Sequence, residues 1–166
     1  MSQIHDCLLT LLGDRKADTP EVAQQQITSR RISESARRKK RILLVEDNAI
    51  NREVPLHMIK NLGYQADTAN NGRQAVEALE KTTYDLVLMD IQMPVMSGVE
   101  ATAIIRDPDS DVKIHDVPII AMTANAMKGD RERYLASGLD DYISKPVDGK
   151  ELQNLIETYL SDADAP

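Results

Sequence analysis

Between Arg41 and Leu160 the chain alternates five times between a short apolar run and a longer segment of helical periodicity. The strand-like runs are Arg41–Val45, Gln65–Ala69, Leu86–Met89, Pro118–Met122 and Asp141–Ser144. The helix-like segments are Ile50–Leu62, Arg73–Lys81, Val99–Arg106, Lys128–Ser137 and Gly149–Leu160. Five βα units in series predict a mostly parallel sheet with helices on both faces, because each crossover must carry the chain back before the next strand can run the same way. Near-continuous apolar strands such as Ile42-Leu43-Leu44-Val45 suit strands covered on both sides. Gln65-Ala66-Asp67-Thr68-Ala69 is the most polar run and is expected at an edge. Gly63 and Gly138 are placed to stop the first and fourth helices. Pro55, inside the first helix, is expected to shift its start or kink it.

The ends of these runs carry the chemistry. The first ends at Glu46-Asp47, the third at Asp90 and the fourth at Thr123, while Lys145 follows the fifth. In an open α/β sheet, ligands bind outside the carboxyl ends of the strands. If the first and third strands are neighbours, three carboxylates crowd one rim. They raise one another's pKa unless a cation intervenes. Mg²⁺ is the natural cation for such a set, since it takes oxygen ligands from a few carboxylates, waters and a phosphate. A carboxylate nucleophile, a divalent metal, a hydroxyl and a lysine are the parts of a phosphoryl-transfer site. Acids favoured at helix N-termini explain one or two of these residues. They do not explain Thr123 and Lys145 at matching positions.

The motifs Leu43-Leu44-Val45-Glu46-Asp47-Asn48, Leu88-Met89-Asp90-Ile91-Gln92-Met93-Pro94 with Gly98, Met122-Thr123-Ala124 and Lys145-Pro146 resemble those of response-regulator receiver domains, in order and spacing, over roughly three-quarters of the chain. The resemblance implies a flavodoxin-like (βα)5 fold, an α/β five-stranded parallel sheet of order 2-1-3-4-5. It implies Asp90 as phosphoacceptor, with Thr123 and Lys145 contacting the phosphoryl group. Mg²⁺ would be held by Glu46, Asp47, Asp90 and the backbone carbonyl of Gln92. The Lys145–Pro146 peptide would be cis. Tyr142 stands at the family's switch position, so Thr123 and Tyr142 would move together. Phosphorylation would then shift the face formed by helix 4, strand 5 and helix 5. Asn48, Asn51 and Met93-Pro94-Val95-Met96-Ser97-Gly98 are most similar to receivers of hybrid histidine kinases. The implied partner is a histidine kinase or a histidine phosphotransfer domain in a two-component phosphorelay.

An aspartyl-nucleophile phosphatase is the competing enzyme reading. Such enzymes carry a second aspartate two residues after the nucleophile as general acid. Here that position is Gln92, which cannot donate a proton in that way. A degenerate, binding-only receiver is a third reading, and the intact set of Glu46, Asp47, Asp90, Thr123 and Lys145 argues against it. His5, His57, His115 and the single cysteine, Cys7, are scattered along the chain, so a zinc site is not expected. His57 reads as an ordinary helix histidine.

The rest of the sequence sets the context. Residues 1–13, with Ile4, Leu8, Leu11 and Leu12 on one helical face, read as an orphan amphipathic helix, the end of a preceding domain, and as a possible route to a dimer. Residues 14–40 read as a polar, basic linker, residues 41–160 as the receiver and residues 161–166 as an acidic tail. The net charge of -7 is uneven: nine basic and five acidic residues up to Arg41, then eleven and twenty-two. An acidic body argues against nucleic-acid binding by the main domain. The basic run Arg37–Arg41 is expected to be a solvated linker. No apolar run approaches a membrane span, so no membrane contact by this segment is expected. One cysteine and an N-terminus without signal-peptide shape fit a cytoplasmic setting.

Overall fold

The computed structural model describes residues 31, 33–127 and 129–161. The helix expected at residues 1–13, the first part of the expected linker and the tail beyond Ser161 lie outside the described residues. The compact unit that holds the sheet begins at Ala36. Its strands are β1 (Arg41–Val45), β2 (Gln65–Ala69), β3 (Leu86–Asp90), β4 (Ile119–Thr123) and β5 (Asp141–Ser144). Its helices are α1 (Ala49–Asn61), α2 (Gly72–Lys81), α3 (Gly98–Arg106), α4 (Asp130–Ala136) and α5 (Gly149–Ser161). The sheet runs β2-β1-β3-β4-β5, every pair parallel. The fold is therefore the flavodoxin-like (βα)5 arrangement, and the polar strand β2 is an edge.

Strand alternation sorts the core into two layers. Leu43, Val45, Val87, Met89, Ile119 and Ala121 face one side, where Ala75, Val76 and Leu79 of α2 and Ala101 and Ile105 of α3 cover them. Ile42, Leu44, Leu86, Leu88, Ile120 and Met122 face the other, against Ile59 of α1 and Leu152, Ile156 and Leu160 of α5. Every residue of β3 and β4 is buried. Each large aliphatic side chain removed from water here contributes about 1.5–3 kcal/mol, so truncating Leu88 or Ile120 to Ala costs about 2–5 kcal/mol.

Local chemistry sets the helix boundaries. Asn48 and Asn71 accept backbone N–H groups at the starts of α1 and α2. Ser97 and Glu100 form a reciprocal capping box on α3. The first helix runs through Pro55, which is buried within it, and starts one residue earlier than the apolar pattern indicates. The fourth helix is shorter than its sequence pattern. Gly129, at φ 111°, supplies no side-chain cap, and the helix begins only at Asp130. The third and fourth strands each extend one residue further than expected, so Asp90 and Thr123 are the last residues of their strands.

The basic run Arg37–Arg41 is only in part the solvated stretch expected: Arg38 and Lys39 are exposed, whereas Arg37, Lys40 and Arg41 meet partners. Arg37 lies 3.3 Å from the Glu157 carboxylate on α5 and 5.9 Å above the Tyr64 ring. The Arg38 carbonyl accepts from Gln65 Nε2 at 2.8 Å. The Lys40 ammonium is 3.9 Å from Asp85. The Arg41 guanidinium is 2.6 Å from Asp67 and sits over the Tyr84 ring. Acids and aromatic rings at the amino end of the sheet give Arg37, Lys40 and Arg41 partners that a linear reading of the run does not reveal.

Candidate functional site

Glu46, Asp47 and Asp90 meet at the carboxyl edge of β1 and β3, because those strands are neighbours in register. One oxygen from each carboxylate lies within 4.8 Å of the others. Glu46 and Asp90 are buried and Asp47 is exposed. Lys145, just past β5, reaches across two strands to them. Its Nζ lies 2.6 Å from Glu46 Oε2 and 3.1 Å from Asp90 Oδ2. The Lys145–Pro146 peptide bond is cis.

Burial raises the pKa of Asp90 above its ordinary value. The hydrogen bond from Lys145 opposes the shift and the charge of Glu46 adds to it. Burial also works against the charge of Lys145. Its bonds to Glu46 and Asp90 outweigh that cost, and its pKa ends above the usual value. The two buried carboxylates share the Lys145 ammonium and Asp47 adds a third carboxylate beside them, so the cluster has an excess of negative charge.

The loops around the cluster are held by backbone bonds. The Gln92 N–H donates to Asp90 Oδ1 at 3.2 Å, and the Asn48 N–H donates to Glu46 Oε1 at 3.3 Å. Gly98 N–H closes the loop after β3 onto the Ile91 carbonyl. A Cβ on Gly98 would collide with the Asp90 carbonyl oxygen, so only glycine lets α3 start this close to β3. In the same loop Val95 has φ 71°, a backbone region that a β-branched residue rarely adopts, and it is 83% exposed.

A cavity of about 180 Å³ is lined by Glu46, Asp47, Asn48, Asn51, Asp90, Gln92, Thr123 and Lys145. It brings together every charged or hydroxyl residue that the motifs single out at the strand ends. Tyr142 lies on β5 beside Ala121, half-buried against the core. Two neighbours of the site are not legible from the motifs. Arg52 Nη1 donates to the Glu46 carbonyl and to Asn70 Oδ1. Its position one turn after Asn48 on α1 is the signal that points to it. Tyr134 on α4 places its hydroxyl 3.1 Å from Thr123 Oγ1. That contact depends on how α4 seats against β4, which no local pattern encodes.

Three hard oxygen donors on one rim, with an amide-bearing loop beside them, fit a small divalent cation such as Mg²⁺. Carboxylate, ammonium and hydroxyl around one cavity suit phosphoryl chemistry.

The family model of the response regulator receiver domain matches residues 42–157. Hybrid signal transduction histidine kinase I of Dictyostelium discoideum is 40% identical over 134 residues, covering 78% of this chain and 8% of that kinase. The chain thus spans a small fraction of that relative's length. Among solved structures, the receiver domain of sensor histidine kinase PA1611 from Pseudomonas aeruginosa PAO1 is 43% identical. Its TM-score is 0.66, with 74% of this chain and 98% of that one covered, and it has a magnesium ion coordinated in its active site cleft. The receiver domain of the Saccharomyces cerevisiae response regulator Ssk1, in a co-crystal with the histidine phosphotransfer signaling protein Ypd1, is 29% identical. Its TM-score is 0.67, with 76% and 92% covered. With the fold, the rim of acids and these matches in agreement, residues 42–157 belong to the response-regulator receiver family.

Proposed function

We propose that this receiver domain of two-component signalling takes a phosphoryl group from a phosphohistidine onto Asp90. The observation that carries the reading is Lys145 Nζ, shared between Glu46 Oε2 and Asp90 Oδ2 at the rim of the cavity. Its hydrogen bond favours the ionised form of Asp90 against the burial that raises the pKa, and it puts a cation beside the attacking carboxylate. An Asp90 carboxylate oxygen forms the new bond to phosphorus. The bond from phosphorus to the donor imidazole breaks, and its electron pair stays on the ring nitrogen. Lys145 then pairs with the phosphoryl oxygens, and the Thr123 hydroxyl donates to one of them.

Mg²⁺ would be held by Glu46, Asp47, Asp90 and the Gln92 carbonyl, and when bound it supplies charge neutralisation for the entering phosphoryl group. Gln92, at the place where an aspartyl phosphatase keeps its general acid, cannot protonate a leaving group, and this supports a switch over a turnover enzyme.

The donor is a histidine kinase or a histidine phosphotransfer protein, the kind of partner that Ssk1 has in its co-crystal. Ile50 and Val54, one turn apart on α1, are 78% and 53% exposed, and Val95 projects from the loop after Asp90. Apolar side chains beside a charged cavity suit a helical partner that brings its histidine to the rim. The response is a shift of Thr123 and Tyr142 that alters the face of α4, β5 and α5. Among the described residues no helix is long and apolar enough to cross a membrane, and we place the domain in the cytoplasm.

Phosphoramidate, a small donor with a phosphorus–nitrogen bond, tests the reading. With Mg²⁺ it is expected to add one phosphoryl group that hydroxylamine removes, leaving a hydroxamate at Asp90. A hydroxylamine-resistant adduct, or one on another residue, would overturn it.

A further inference from the structure

Of the three carboxylates at the rim, two are held by hydrogen bonds and one is not. The Glu46 side chain accepts from the Lys145 ammonium and the Asn48 N–H. The Asp90 side chain has the same ammonium at 3.1 Å and accepts from the Gln92 N–H. Asp47 is exposed, and none of the described residues donates a hydrogen bond to its carboxylate. It lies in the bend between β1 and α1. The direction of its side chain is therefore set by the peptide that joins it to Glu46.

Arg52 grips that peptide. Its Nη1 donates to the Glu46 carbonyl at 3.3 Å and to Asn70 Oδ1. One guanidinium Nη carries two hydrogens, so both bonds form at once. Asn70 follows β2, and its own N–H donates to Gln74 Oε1 on α2 at 2.9 Å. The Glu46 N–H donates to the Ala69 carbonyl, one residue before Asn70. The bend that carries Asp47 is thus tied to the loop after β2, and through that loop to α2. Arg52 does not line the acid cavity. It reaches the bend from α1, on the side away from the carboxylates.

We propose that Arg52, held by Asn70, is a positioning residue for Asp47 as a metal ligand, acting through the Glu46–Asp47 peptide. The inference rests on the reading of the rim as a Mg²⁺ site. Mg²⁺ demands near-ideal octahedral geometry at about 2.0–2.1 Å. A ligand with no side-chain bond of its own meets that demand only if its backbone is fixed. Groups that orient ligands from behind change metal affinity by about 10–100-fold. Two simpler roles for Arg52 have different consequences. A guanidinium that acted by its charge alone would repel the cation, and its removal would tighten Mg²⁺ binding. One that only braced α1 would change the melting temperature and leave Mg²⁺ affinity where it was.

The test is a Mg²⁺ titration followed by 1H–15N NMR, well below the melting temperature, on wild type, Arg52→Ala, Asn70→Ala and the double variant, with a thermal melt of each. Arg52→Ala is expected to weaken Mg²⁺ binding about tenfold. Asn70 is exposed and uncharged, and it does not line the cavity. Asn70→Ala is expected to weaken Mg²⁺ in the same direction by a smaller factor. The double variant is expected to match Arg52→Ala, because Asn70 acts only through the guanidinium. Unchanged or tighter binding by Arg52→Ala would overturn the proposal, whatever its melting temperature. So would unchanged binding by Asn70→Ala, which decides the matter even if Arg52→Ala fails to fold. A double variant that loses the product of the two single factors would overturn it as well, since the two residues would then act independently. If wild type binds no Mg²⁺, the metal reading itself has failed and the role of Arg52 falls with it. Equal Mg²⁺ affinity in all four proteins removes the role of Arg52 alone.

Discussion

Lys145 Nζ lies 3.1 Å from Asp90 Oδ2, and the same ammonium is the partner of Glu46. One cation therefore serves a cluster with three carboxylates. The pKa of Asp90 is raised from the usual 3.8, chiefly by burial, so its ionised form works against the fold. That penalty is in force at neutral pH. It disappears as pH falls through the raised pKa and Asp90 takes up a proton.

Asp90→Asn is accordingly expected to stabilise the metal-free domain at neutral pH by on the order of 1 kcal/mol, the scale of relief seen when strained functional groups are neutralised. Its advantage should fade in acid, where wild-type Asp90 is itself neutral. Mg²⁺ should raise the melting temperature of wild type and act much more weakly on the variant. Thermal melts at neutral and acid pH, with and without Mg²⁺, check all three statements. Asp90→Asn melting below wild type in metal-free neutral buffer would contradict the electrostatic picture.

Tyr84 offers an independent pH signal at the opposite end of the sheet. Its hydroxyl donates to Asp67 Oδ2 at 2.9 Å. Burial, then the bond to Asp67, push its pKa from 10.0 up to about 12. The folded chain therefore prefers the neutral phenol. That contribution to stability is complete below pH 10 and is lost as pH rises through about 12. Tyr84→Phe is expected to flatten the loss of stability across this window, as read from denaturant midpoints at successive alkaline pH values. Identical alkaline profiles for the two proteins would refute it.

Val95 holds a left-handed backbone with a β-branched side chain exposed to solvent. Asparagine tolerates that conformation far better. Val95→Asn is expected to stabilise the domain by about 1 kcal/mol and to slow transfer from a histidine phosphotransfer protein while leaving phosphorylation by acetyl phosphate unchanged. A variant with neither change would show that Val95 is neither strained nor part of the docking surface.

Much of this was legible in the residues. β1, β3 and β4 are buried on both faces, so their apolar runs are continuous and easy to bound. Glu46, Asp47, Asp90, Thr123 and Lys145 fall at strand ends, and a parallel sheet brings strand ends together whatever the details of packing. What stayed hidden depends on tertiary seating. The bond between Tyr134 and Thr123 requires α4 to lie where it does, and α4 itself starts late because Gly129 takes a positive φ. Arg37 reads as part of a solvated run until Tyr64 and Glu157 meet it from distant parts of the chain. Gly98 reads as a loop residue, although its role is to let α3 approach the Asp90 carbonyl.

The most direct test of the central claim is the intact mass of the domain after incubation with acetyl phosphate, for wild type and Asp90→Asn, with Mg²⁺ and with a chelator. The account predicts a single phosphoryl adduct on wild type that needs Mg²⁺ and is absent from Asp90→Asn. An adduct of equal yield on Asp90→Asn, or no adduct and no beryllofluoride complex on wild type, would contradict it.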